Sequence, residues 1–145
     1  MLVVERASRA DAHRVARLAG RSLSENYEPE WLANHLAGEG TFLVARDIQH
    51  NEVVGFIVAD RQGPEGHVLA LAVDQDKRGQ GIGSALLRSA RSEMARAGVF
   101  SVDLEVRADN AGAQQFYRRH GFEPRGLETG VYRDGGDAIR MERPV

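Results

Sequence analysis

Cysteine is absent from this 145-residue chain. Disulfides, thiolate nucleophiles and cysteine metal sites are therefore excluded. Lysine occurs once, at Lys77, so arginine carries nearly all the basic charge. The net charge of -2 gives no support to a nucleic-acid-binding surface. No apolar run approaches the ~18 residues of a membrane span, and no signal-peptide pattern opens the chain. A cytoplasmic protein without membrane or nucleic-acid partners is the expectation. The histidines, His13, His35, His50, His67 and His120, show no ligand spacing, so no metal is expected. Aromatic residues are sparse; Tyr27, Trp31 and Tyr132 are candidates for lining a substrate groove, with core packing as the alternative for each.

Hydrophobic residues make up 42% and charged residues 28%, the balance of a soluble globular domain. No repeat, low-complexity tract or linker divides the chain, so residues 1–145 read as one domain. Met1 to Glu5 reads as a strand. Ser8 and Asp11 suit a capping box, followed by Ala12, Val15, Ala16, Ala19 and Leu23 at helical spacing. Pro29 suits the first turn of a second helix that stops near Gly38. Thr41 to Arg46 and Val53 to Ala59 form a hairpin, and a turn at Gly63 to Gly66 leads to a strand at His67 to Val73. Ile82, Leu86, Ala90, Met94 and Ala97 share one helical face, with Gly98 ending the helix. Ser101 to Val106 is the next strand, giving a right-handed parallel crossover. A helix follows from Ala111 to His120, capped by Asn110 and closed by Gly121. Strands near Glu123 to Leu127 and Asp137 to Glu142 complete the pattern, with Pro124 at a strand start or edge. The expected fold is α/β: a mixed, mostly antiparallel sheet of about seven strands with about four helices.

The stretch from Leu69 to Gly83 organises the rest. It passes from an apolar strand through Arg78-Gly79-Gln80-Gly81-Ile82-Gly83 to a helix start. Free N–H groups and the positive dipole end make such a start an anion site, and glycines admit a ligand close to the backbone. An ordinary strand-to-helix turn is the alternative. A dinucleotide fold fits poorly, because Ser84 stands at the third glycine position and antiparallel strands precede the motif. A Walker loop fails because no Gly-Lys-Ser/Thr follows.

A second stretch, LEVRADNAGAQQFYRRHGF from Leu104 to Phe122, places Glu105 on a strand, Asn110 at a helix start and Tyr117 inside that helix. A short loop joins the two, so Glu105 and Tyr117 are expected at one cleft. Taken singly, Glu105 reads as a strand carboxylate paired with Arg107, Asn110 as a cap and Tyr117 as core.

Together these two stretches resemble the GNAT superfamily of acyl-CoA-dependent N-acetyltransferases. Arg78, Gly81 and Gly83 match its phosphate motif. Glu105, Asn110, Tyr117 and Gly121-Phe122 resemble the protein N-terminal acetyltransferases of bacteria and archaea, including the ribosomal-protein alanine enzymes, as does the tail Asp137-Ala138-Ile139 with Met141. The resemblance implies acetyl-CoA as cosubstrate and no metal. It assigns the pyrophosphate to Gly79, Gln80, Gly81, Ile82, Gly83 and Ser84, with Arg78 nearby and Asn110 as a further contact. It assigns the pantetheine arm and thioester oxygen to the main chain of Leu71, Ala72 and Val73. Glu105 would take the amine proton, directly or through water, and Tyr117 would protonate the departing thiolate. The implied acceptor is the N-terminal α-amine of a protein. A small amine (polyamine, amino sugar or amino acid) is the alternative, and a non-catalytic acyl-CoA-binding module a further one. Glu128 and Thr129 stand where the alanine enzymes carry arginines, and Val131-Tyr132 replaces a tyrosine pair. Monomer and homodimer both remain open.

Overall fold

The computed structural model describes residues 1–22, 29–38 and 40–145. The expected Leu23 helix position and Tyr27 lie outside the described residues. One seven-stranded sheet runs in the order β1-β2-β3-β4-β5-β7-β6. Its strands are β1 (Leu2–Arg6), β2 (Thr41–Asp47), β3 (Glu52–Gln62), β4 (Glu65–Val73), β5 (Ser101–Arg107), β6 (Glu123–Glu128) and β7 (Ala138–Pro144). Helices α1 (Ala12–Ser22), α2 (Pro29–Ala37), α3 (Ile82–Arg96) and α4 (Ala111–Arg119) complete the elements. The α/β expectation of seven strands and four helices is met, with ends shifted by a few residues. Among the described residues, no helix is long and apolar enough to cross a membrane.

Local chemistry explains most boundaries. The Asp11 carboxylate accepts from the Ser8 backbone N–H at 2.9 Å, as the capping pair requires. It opens a short 3-10 turn that runs into α1. Gly98 (φ +91°) follows the end of α3, a backbone conformation that side chains resist. Pro124 falls in β6, an edge strand, beside a register irregularity, where its missing N–H removes little.

The core forms two layers. Val68, Leu86, Leu87, Val102, Leu104 and Phe122 belong to the layer beneath α3. Val15, Leu18, Leu32, Phe42, Phe56, Ala70 and Ala72 belong to the layer beneath α1 and α2. Among the described residues only β4–β5 is parallel, from Glu65↔Ser101 to Val68↔Leu104. Beyond Val68, β4 keeps β3 on one side and has no paired strand on the other.

A bulge sits at that point. Val58 pairs with Ala70 but Ala59 pairs with Val68, leaving Leu69 as the extra residue. Strand side chains normally alternate faces. Here Leu69 and Ala70 both pack toward the α1–α2 layer, and the alternation restarts one residue out of phase. Val68 before the bulge, and Leu71 and Val73 after it, pack toward α3 and α4. One strand therefore serves both faces of the sheet with its odd-numbered residues, His67 and Leu69 on one, Leu71 and Val73 on the other.

Leu86 is fully buried at the contact between α3 and the sheet, and Gly55 admits its methyl group closely. Leu86→Ala should cost about 2–5 kcal/mol of unfolding free energy. Urea denaturation measures this, and a loss below ~1 kcal/mol would contradict the packing described.

Candidate functional site

The start of α3 carries no side-chain cap. Its N-cap residue is Gly81 (φ +80°), and no carboxylate lies in the first turn. The first-turn N–H groups and the positive dipole end are thus available to an anion. Gly79 shares that conformation, and a Cβ built on either glycine meets nothing within 4 Å. Side chains there would project into open space that the glycines leave to a ligand. The donor set and the bare approach suit a pyrophosphate.

That space is a cleft of about 640 Å³ between the ends of β4, α3 and α4. Leu71, Ala72, Val73, Arg78, Gly79, Gly81, Ile82, Gly83, Ser84 and Asn110 line it, as expected, and so does Tyr117. Gln80 does not; it is exposed between the two left-handed glycines. Lys77 lines the cleft too, and Phe116 and Arg119 line it without having been singled out for it. Arg78 Nε donates to the Val73 carbonyl at 3.3 Å, which holds the guanidinium over the strand end. Ser84 Oγ and His120 Nε2 are hydrogen-bonded at 2.9 Å. Burial, then the surrounding Arg88, Arg91, Arg119 and Arg143, lower the His120 pKa and favour its neutral form.

Asn110 is a helix cap, its Oδ1 accepting from the Ala113 N–H at 3.0 Å. It also lines the cleft, so the two readings of this residue coexist. Gln114 Nε2 donates to the Arg107 and Ala108 carbonyls, tying α4 to the end of β5. The Tyr117 ring meets Phe116 and Phe122 edge-on, with centroids 5.2 and 5.6 Å away.

Glu105 does not share this cleft with Tyr117. It lines a separate groove of about 570 Å³ with His67, Leu69, Asp103, Tyr132 and Arg140. Strand alternation is the cause: Leu104 and Val106 face the α3 layer, so Asp103, Glu105 and Arg107 face the other way. Along β4, the groove ends at Leu69 and the cleft begins at Leu71, on either side of the bulge. Tyr132 lines the groove as expected. Trp31 instead packs against the α1–α2 core and stacks on His35 at 4.0 Å.

The alternative reading of Glu105, a pair with Arg107, is not formed. Arg107 bonds Asp134 at 2.7 Å and Asp109 at 3.2 Å, and lies over the Tyr132 ring at 4.6 Å. Those carboxylates sit on flanking loops, and Asp134 lies in the β6–β7 connection, where strand spacing gives no hint of it. Glu105 has Glu128 beside it instead. Desolvation in the groove, the Glu128 carboxylate and Asp103 all raise the Glu105 pKa, although the side chain still meets solvent.

Sequence reasoning passed over His67. Its Nδ1 is hydrogen-bonded to Asp103, its register partner across the parallel β4–β5 pair. Arg140 Nη1 approaches the other oxygen of Asp103 at 3.4 Å and Glu142 at 3.2 Å. The 36-residue separation of His67 and Asp103 hides the pair from any local motif.

Asn110→Ala should cost about 1 kcal/mol of stability through loss of the cap, whereas Asn110→Asp keeps an accepting oxygen and should cost little. Thermal unfolding of both variants measures this. Equal losses would show that the cap contributes nothing.

The Acetyltransferase (GNAT) family model matches residues 9–122. An uncharacterized N-acetyltransferase of Methanocaldococcus jannaschii is 41% identical over 61% of this chain, an alignment that spans only 58% of that relative. An N-alpha-acetyltransferase of Sulfurisphaera tokodaii is 31% identical over 98% of this chain and 92% of its own length. The crystal structure of Ard1 from Thermoplasma volcanium superposes with a TM-score of 0.94 at 34% identity, covering 99% of this chain and 97% of its own. Family match, full-length relatives and a cleft suited to a pyrophosphate agree: this chain belongs to the GNAT family, whose members are acyltransferases that use acetyl-CoA.

Proposed function

We propose that this protein acetylates the N-terminal α-amine of a protein or peptide, with the cofactor in the α3–α4 cleft and the acceptor in the Glu105 groove. The observation that carries this reading is the bulge at Leu69, which gives one strand two working faces that adjoin along the backbone. The full-length relative named N-alpha-acetyltransferase supports the acceptor class.

Acetyl-CoA supplies the acetyl group as a thioester. The first-turn N–H groups of α3, from Gly81 to Ser84, hold the pyrophosphate, with Arg78 adding charge from the strand end. The unpaired edge of β4 at Leu71 to Val73 offers backbone donors and acceptors to the pantetheine arm, as an added strand would use them. One of these N–H groups polarises the thioester carbonyl. Tyr117 holds a phenolic proton on the cofactor side for the departing thiolate.

On the opposite face, Glu105 accepts the proton of the acceptor ammonium, directly or through water. His67, oriented by Asp103, is a second base on the same face, a nitrogen one. An α-amine has a pKa near ~7.7–8.0 against ~10.4 for lysine, so it is the easier group to deprotonate. The raised Glu105 carboxyl is closer to that value than an ordinary glutamate, which improves the match of base to task.

Tyr117→Phe and Glu105→Gln should each lower turnover by ~10²–10⁴ when chemistry limits the rate, with CoA affinity retained. Parent turnover in Tyr117→Phe would remove the acid role, and in Glu105→Gln the base role. Specificity constants for tetrapeptides with varied first residues, beside spermidine and an aminoglycoside, test the acceptor. A peptide should be preferred; preference for a small amine over every peptide would reject the α-amine reading.

A further inference from the structure

Behind the lining of the α3–α4 cleft stands His120, the residue that ends α4. Its Nε2 lies 2.9 Å from Oγ of Ser84, in the first turn of α3. Ser84 lines the cleft and His120 does not. Three contacts hold His120 in place. Its backbone N–H donates to the Tyr117 carbonyl at 3.0 Å. Nη1 of Arg143 on β7 donates to its carbonyl. Phe116, which lines the cleft, meets the imidazole with ring centroids 4.8 Å apart. Among the described residues, Ser84 is the one hydrogen-bond partner of the imidazole.

A hydroxyl carries one hydrogen and a neutral imidazole carries one proton on either of two nitrogens, so this contact has two forms. With the proton on Nδ1, Nε2 accepts the Ser84 hydrogen and the hydroxyl turns a lone pair to the cleft. With the proton on Nε2, Ser84 accepts, and its own hydrogen is free to point into the cleft. The surroundings favour the second form. The charged groups around the ring are Arg88 and Arg91 on α3, Arg119 on α4 and Arg143 on β7. None of these can accept a hydrogen bond, so an Nδ1–H would go unsatisfied, while a lone pair at Nδ1 is a good neighbour for cations. An anion against Ser84 adds to the preference: it repels the lone pair of the first form and accepts the hydrogen of the second. We propose that His120 is a positioning residue for the pyrophosphate of acetyl-CoA, its Nε2–H donating to Ser84 Oγ and so turning the Ser84 hydrogen toward a phosphate oxygen. The inference rests on the reading that places the pyrophosphate at the start of α3. His120 touches no cofactor atom and gives up no proton.

The probe is dephospho-CoA, which keeps the pyrophosphate and lacks the 3′-phosphate, whose second ionisation falls near pH ~6. Calorimetry gives its Kd for the parent, Ser84→Ala, His120→Phe, His120→Gln and the double variant Ser84→Ala with His120→Phe. Ser84→Ala and His120→Phe should each weaken binding about tenfold, the loss of one hydrogen bond to a charged group. The double variant should bind like Ser84→Ala alone, because His120 acts through that hydroxyl. His120→Gln, whose amide N–H can take the place of Nε2–H, should recover most of the loss. Nitrogen NMR of the imidazole in the parent complex should find the proton on Nε2, a readout that needs no variant to fold. A merely structural His120 would weaken binding equally with and without the Ser84 hydroxyl. That additive result overturns the proposal, as does an Nε2 without a proton in the complex, or parent affinity in His120→Phe beside a weakened Ser84→Ala. Failure of the underlying reading looks different: Ser84→Ala would bind as the parent does, and the amide shifts of Gly79 to Ser84 would not move with the probe.

Discussion

Everything at this site depends on one extra residue in one strand. An unbroken β4 would present His67, Leu69, Leu71 and Val73 to a single face. The bulge at Leu69 shifts the phase, so Leu71 and Val73 face α3 and α4 while His67 and Leu69 face the Glu105 groove. Pairing with β5 ends one residue earlier, at Val68↔Leu104, and frees the edge of β4. Bulges bend and twist a strand locally, which agrees with the two strands parting there. The separation has a chemical use. The anion binding proposed at the uncapped start of α3 and the proton removal proposed at Glu105 need opposite electrostatics, and the sheet keeps the two places on opposite faces.

The cleft and the groove also solve different problems of burial. The α3–α4 cleft offers backbone groups at a helix start whose glycines leave room, so a ligand held there would cost little side-chain entropy. In and around the groove, polar and charged side chains pair with one another: Asp103 with His67 and Arg140, Arg107 with Asp109 and Asp134. Those pairings hold the residues around Glu105 in place and leave its own carboxyl without a cation. A loop carboxylate, Asp134, thereby fixes Arg107 over Tyr132 and shapes the groove wall.

The elements were legible because their signals are local. Glycine after α3, the Ser8–Asp11 pair, the Asn110 cap and the apolar periodicity of α3 each act within a few residues. The glycine turn into α3 was legible for the same reason, apart from Gln80, whose direction depends on the two left-handed glycines around it. What escaped notice is non-local. The bulge exists only in the pairing of β3 with β4. His67 gains meaning from Asp103 across a parallel ladder, and Glu105 loses Arg107 to a distant loop. Expecting Glu105 and Tyr117 at one cleft followed from their short connection. The strand face assigned by the core reverses that placement, because Leu104 and Val106 are buried beneath α3.

Amide NMR shifts recorded during separate titrations with CoA and with an acceptor peptide test the division of β4 most directly. The account predicts that CoA perturbs Leu71 to Val73 and Gly79 to Ser84, and that the peptide perturbs His67, Leu69, Glu105 and Tyr132. CoA shifts centred on His67 and Glu105, with Gly79 to Ser84 unmoved, would contradict it.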